Sequence, residues 1–143
     1  MKVKQLSVFL ENIPGRLAAA TEVLRQAGIN IRALTLADTT DFGILRMIVD
    51  RPDDALAAMR QAGYSVAETE VLAVRLSDRP GGLASVATEL SRAGINIEYL
   101  YAFVGTHGDE AIVVIRVEQI EETISVLTAA GIAVLPDREV YNL

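Results

Sequence analysis

Two short runs in this 143-residue chain combine donors for an anion with an acceptor for a cation. The first is Asn12, Ile13, Pro14, Gly15, Arg16 and Leu17; the second is Asp78, Arg79, Pro80, Gly81, Gly82 and Leu83. Each opens a stripe of apolar residues at helical spacing, Leu17, Ala20, Leu24 and Ala27 in one case and Leu83, Val86, Ala87, Leu90 and Ala93 in the other. The first N–H groups of a helix lack intrahelical partners and carry partial positive charge, which suits a carboxylate. The donors would be the amides of Gly15, Arg16 and Leu17, or of Gly81, Gly82 and Leu83. Glycine has no β-carbon to keep a ligand from the backbone. Asn12 offers an amide oxygen to an ammonium group, and Asp78 a carboxylate. Together these functions fit an α-amino acid. The same residues also read as plain structure. An Asx residue before a helix is often a cap, proline is tolerated at a helix start, and glycine permits close packing. Repetition does not separate the two readings, because a duplicated fold duplicates its caps.

Other chemistry finds little footing. The chain has no cysteine, hence no disulfide, thiolate metal site or cysteine nucleophile. His107 is the single histidine and reads as a solvated loop residue, with no second histidine for a metal site. Asp53 and Asp54, like Glu121 and Glu122, stand at helix starts favoured by the helix dipole, and read as solvated charges. No phosphate loop, nucleophile elbow or zinc-protease motif is present. A catalytic role and a cofactor are therefore not expected. Net charge is −6, and the arginines are scattered singly, so nucleic acid is a poor partner. The apolar run Leu6 to Leu10 is far too short to span a membrane, and a cytoplasmic location is the expectation.

The elements that would position these runs come from an internal repeat. A shift of 66 aligns Leu6–Leu34 with Leu72–Leu100, and 14 of the 29 pairs are identical. Downstream, a shift of 68 pairs Gly63 with Gly131 and Val66 with Val134, the two extra residues falling in the loop around Gly105–Asp109. Each copy reads strand, helix, strand, strand, helix, strand. Leu6, Val8 and Leu10 alternate with Ser7, Phe9 and Glu11, so one face points inward. Gly28 and Gly94 occupy the left-handed position that ends a helix. Second strands start near Asn30 and Asn96. Third strands cover Gly43–Val49 and Ala111–Val117. Second helices turn Leu56 and Met59, or Ile120, Ile124 and Leu127, inward. This order predicts an α+β fold: two ferredoxin-like βαββαβ modules in tandem, antiparallel sheets with helices on one face. The modules are expected at residues 1–69 and 70–143, joined without a flexible linker.

"ENIPGRL" and "SDRPGGL", each followed by "AGINI", resemble the signature of the ACT domain, once per half. The resemblance covers the whole chain, which looks like the stand-alone tandem ACT proteins. It implies ferredoxin-like regulatory modules that bind amino acids, often where two modules meet. On this reading the chain is a sensor in amino-acid metabolism that acts on a metabolic enzyme or regulator. The alternative is a regulatory subunit of a biosynthetic enzyme such as acetolactate synthase.

Asn30 and Asn96 complete the candidate set. A helix of about 14 residues spans roughly 20 Å, so Asn12 and Asn30 lie at opposite ends of one module and cannot hold the same amino acid. If edge strands pair antiparallel, Asn96 comes to Gly15 and Asn30 to Gly81. That agrees with the family, in which the ligand bridges two domains. One further expectation concerns assembly. Tyr99, Tyr101 and Phe103 share one face of a strand, and Ala111–Ile115 is apolar on both faces. The open face of the second sheet should be covered, by the first module or by another chain, and a homodimer is the expectation.

Overall fold

A computed structural model describes residues 1–38, 41–105 and 107–143. The chain contains β1 (Val3–Glu11), α1 (Arg16–Gln26), β2 (Ile31–Asp38), β3 (Phe42–Val49), α2 (Pro52–Gln61), β4 (Val66–Ser77), α3 (Gly82–Arg92), β5 (Tyr99–Ala102), β6 (Glu110–Arg116), α4 (Ile120–Ala129) and α5 (Asp137–Tyr141). Strand–helix–strand–strand–helix–strand is thus laid out twice, with β4 ending the first copy and opening the second and the final strand of the second copy reduced, and the fold is the tandem ferredoxin-like α+β arrangement predicted. Two compact units divide the chain. One holds Lys4–Thr69 with Tyr141–Leu143, the other Glu70–Val140 with Met1–Val3.

In the first unit the strand order is β2-β3-β1, and all pairs are antiparallel. The start of β4 continues beyond β1, where Phe9 N donates to Ser65 O at 3.1 Å. In the second unit the order is β5-β6-β4. The expected last strand of this unit is reduced to a bridge between Val74 and Val134, held by Arg75 N to Ala133 O and Leu135 N to Ala73 O, both 2.9 Å.

Period-two patterning places one face of each sheet under two helices. Leu6, Val8, Leu10, Leu45, Met47 and Val49 pack against Ala20 and Leu24 of α1 and Ala55 and Met59 of α2. Leu72, Val74, Val113, Ile115 and Val117 do the same with Val86 and Leu90 of α3 and Leu127 of α4. All four of these helices stop in the same way. The glycine after each (Gly28, Gly63, Gly94, Gly131) has a φ between 69° and 90°. The next residue donates its N–H back to the carbonyl five residues earlier: Ile29 to Leu24, Tyr64 to Met59, Ile95 to Leu90 and Ile132 to Leu127, at 2.9–3.0 Å. This is the Schellman geometry, with its apolar contact between the same two residues.

The opposite face of the second sheet is also dry. Ala73, Ile112, Val114, Tyr101 and Phe103 are all buried, none above 8% exposed. Register puts Ala73 across from Val114 and Arg75 across from Ile112 on this face. Arg75 Nη2 lies 2.6 Å from Glu139 Oε1 of α5, and Val140 of α5 is fully buried. A short helix absent from the sequence-based expectation is therefore tied to β4 on this face. The burial of this face occurs within one chain, so it does not call for a second one. On the same side of the first unit Gln5 and Ser7 are buried too, and Tyr141 O accepts from Arg32 Nε at 3.1 Å.

Candidate functional site

Each helix that begins a module is entered through a tight turn. Gly15 (φ 88°, ψ −12°) and Gly81 (φ 91°, ψ −8°) stand at the N-cap positions of α1 and α3. These angles fit the third residue of a type II turn, with proline before it. The closing hydrogen bonds run from Arg16 N to Ile13 O at 3.5 Å and from Gly82 N to Arg79 O at 3.0 Å. A β-carbon at Gly15 or Gly81 would meet nothing within 4 Å. The glycines are therefore required by backbone conformation and not by crowding from neighbouring protein atoms. Proline lies in the turn, ahead of the first helical residue.

Neither Asn12 nor Asp78 is the helix cap, because the glycines hold that position without any side-chain cap. The backbone ties these two residues to the β2–β3 and β5–β6 connections instead. Asn12 N donates to Asp41 O at 3.0 Å, and Asp78 N donates to Asp109 O at 2.9 Å.

In the first module the turn closes one side of a cavity of about 70 Å³, lined by Leu10, Glu11, Asn12, Ile13, Arg16, Leu17, Leu36, Asp38 and Gly43. Four predicted residues, Asn12, Ile13, Arg16 and Leu17, thus meet there, with Pro14 and Gly15 forming the turn between them. Glu11, Leu36, Asp38 and Gly43 were not predicted. Strand direction brings them in. β3 runs antiparallel to β1 and β2 antiparallel to β3, so the far end of β2 returns to the helix start. Asp38 pairs with Gly43, and Leu10 pairs with Gly43 from the other side. Glu11 Oε1 and Arg16 Nη2 stand 3.7 Å apart at the solvent side. Helix-start amides and a guanidinium can hold a carboxylate here, and the Asn12 amide and two carboxylates can accept from an ammonium.

The second module differs. Asp78 lines a cavity of about 130 Å³ with Ala102, Phe103, Gly105, His107, Gly108, Glu110, Ala111 and Ile112. The Nε2 atom of His107 is buried, which corrects its reading as a solvated loop residue. Arg79, Pro80, Gly81, Gly82 and Leu83 do not line this cavity. Gly82 instead borders a separate cleft with Arg75, Ser77 and Ser85, where a β-carbon on Gly82 would come 2.0 Å from Ser77 O.

The two asparagines stand elsewhere. Asn30 N donates to Asp50 Oδ1, and Asp50 N donates to Asn30 O, both at 3.0 Å. This exchange fixes Asn30 at the end of the module where α1 stops, about 17 Å of helix from Gly15. Asn96 lines a shallow depression with Ser91, Gly94 and Ile97 at the corresponding end of α3. Neither Asn30 nor Asn96 reaches the helix start of its own module.

Asp53 and Asp54 at the start of α2 and Glu121 at the start of α4 are engaged on the surface. Asp53 Oδ1 accepts from Lys4 Nζ at 2.8 Å, Asp54 pairs with Arg51 at 3.0 Å, and Glu121 pairs with Lys2 at 2.9 Å. The pairing raises the pKa of Lys2 and Lys4 through hydrogen bonds to Glu121 and Asp53. Among the described residues no group of three or more His, Cys, Asp or Glu could hold a metal ion, and no helix is long and apolar enough to cross a membrane.

Fold and turn geometry define a tandem of two ferredoxin-like modules, each entered through a Pro–Gly helix start. A family model described as an ACT domain pair matches residues 1–143, and the chain belongs to that family of regulatory modules. Among solved structures, protein BT0572 from Bacteroides thetaiotaomicron is 41% identical, with 100% of this chain and 98% of that chain covered and a TM-score of 0.94. The regulatory subunit of aspartate kinase from Thermus thermophilus, in a ligand-free form, shares the fold at 18% identity. There 89% of this chain and 91% of that one are covered, with a TM-score of 0.65. Its counterpart from Thermus flavus is similar at 17% identity, covering 90% and 92%, with a TM-score of 0.62. No curated protein matches the chain.

Proposed function

We propose that this chain is an amino-acid sensor without catalytic activity, which binds a small amino acid at its helix starts and passes that state to a partner protein. The observation that carries this reading is the first-module cavity. It places helix-start amides and Arg16 beside Asn12, Glu11 and Asp38, a set of donors and acceptors complementary to a zwitterion. The ligand carboxylate sits on the amides and its ammonium on the carbonyl and carboxylate oxygens. Asn96 completes the site at Gly15, and Asn30 the site at Gly81, each asparagine supplied by a second copy of the chain. The edge strands favour the second copy. Within its module β2 is paired on one side by β3 and β5 on one side by β6, and exposed strand edges template further pairing. Leu34, Leu36, Leu100 and Val104 stand exposed on or beside these edges.

A thermal-shift screen of the twenty amino acids tests the reading. A ligand at a hundredfold its dissociation constant stabilises the native state by about 2.7 kcal/mol. For a chain of this size that raises the melting temperature by several degrees, roughly 2–4 °C per kcal/mol. A screen in which no amino acid moves the midpoint sinks the proposal. Recovery of the chain from native lysate with a stoichiometric biosynthetic enzyme would favour the regulatory-subunit alternative.

A further inference from the structure

We infer that the first-module site selects an amino acid with a small aliphatic side chain, and that Leu36 sets the limit on its size. This rests on the reading that the helix start holds an α-amino acid. With the zwitterion on Arg16, Asn12 and the flanking carboxylates, the side chain faces the remaining wall, which is Leu10, Ile13, Leu17 and Leu36. Three of these are unusually exposed for their type: Ile13 at 50%, Leu17 at 38% and Leu36 at 49%. An apolar side chain would cover all three, and a polar one would be desolvated there without a partner.

Size narrows the class further. The cavity holds about 70 Å³, less than half of the roughly 150 Å³ apolar cavity that accommodates benzene. A short aliphatic side chain suits that scale better than an aromatic ring. Two residues fix the floor. Leu36 lies on the helix side of β2, opposite Leu45. Its Cδ1 is the atom nearest to a β-carbon placed on Gly43, at 3.3 Å. Gly43 therefore leaves Leu36 the space it occupies.

The second module carries the reverse arrangement. Ala102 and Ala111 stand where Leu36 and Gly43 do, Arg79 replaces Ile13, and the cavity is larger, with Asp78, His107 and Glu110 around it. The apolar wall there is Phe103 and Ile112 with two alanines, without large aliphatic counterparts of Ile13, Leu17 and Leu36.

Calorimetric titration of the full chain with alanine, valine, leucine, serine, asparagine and phenylalanine tests the inference, with methyl spectra reporting which module responds. Valine or leucine should bind at least tenfold tighter than asparagine and phenylalanine, and should shift the methyl signals of Leu17 and Leu36. Leu36→Ala should improve phenylalanine at least tenfold relative to valine. The half-exposed position keeps folding out of the comparison. Gly43→Ala should do the opposite, weakening leucine relative to alanine. Three results would overturn the inference: asparagine binding as tightly as leucine, a ranking untouched by Leu36→Ala, or methyl shifts confined to Leu83 and Leu100. Failure of every amino acid to bind would instead strike the amino-acid reading itself, and the inference with it.

Discussion

The Pro–Gly turn separates two roles that a glycine can play. Gly15 and Gly81 have a φ near +90° and open space where a β-carbon would stand. A side chain there costs only the left-handed conformation, about 1–2 kcal/mol. Gly82 is different, because it keeps an ordinary helical φ but faces Ser77 O at 2.0 Å from its virtual β-carbon. Gly82→Ala must displace the turn, a strain of about 1–3 kcal/mol on the scale of core overpacking. Urea denaturation should therefore rank Gly82→Ala at least as damaging as Gly81→Ala, although only Gly81 has a positive φ. Equal stability of Gly82→Ala and the natural chain would show that the Ser77 contact relaxes freely. The first module carries Arg16 at this position, so the two helix starts are related by descent but not by local packing. That asymmetry was visible in the residue types. Its cause was not, since the approach of Ser77 O depends on how the turn folds over the end of β4.

Elements with a strong period were the legible part. Leu6, Val8 and Leu10 alternate, Leu83, Val86 and Leu90 recur, and the helix-ending glycines recur at matching places in both repeats; these fixed the strand and helix order. Half of the first site could be read as well, because Asn12 to Leu17 are contiguous. Its other half could not be read from local pattern, since Leu36 and Asp38 arrive from β2 through two antiparallel pairings. Following strand direction would have found them. The alternation of Leu34, Leu36 and Asp38 on one face was the available signal. α5 was missed because five residues are too few for a helical period to register. Its importance shows in burial. Val140 is fully buried, and Leu135, just ahead of the helix, is 2% exposed. Val140→Ala should cost about 2 kcal/mol from lost methyl burial and the void left behind. Glu139→Gln should cost less than 1 kcal/mol, because its pair with Arg75 is partly solvated. Chemical denaturation of the two variants decides between packing and charge as the anchor of α5, and a larger loss from Glu139→Gln would reverse that assignment.

On the scale of the whole molecule, the duplication supplies two unequal candidate sites and two strand edges. The aromatic face, expected to be covered by the first module or by another chain, is dry within one chain, so assembly has to be argued from β2 and β5. Sedimentation at micromolar concentration should give twice the 15.4 kDa chain mass. A single-chain mass at every dilution would count against asparagines supplied by a second copy. The account stands most directly on whether Asn12 and Asn96 serve one ligand. Each hydrogen bond to the ammonium is worth about 1.5–3 kcal/mol, or about tenfold to a hundredfold in affinity. Calorimetry of Asn12→Ala, Asn96→Ala and the double variant, with Asn30→Ala beside them, measures this. Asn12→Ala and Asn96→Ala should each weaken the same binding event, and their losses should be non-additive. Losses of that kind shared by Asn12→Ala and Asn30→Ala, with Asn96→Ala silent, would contradict it.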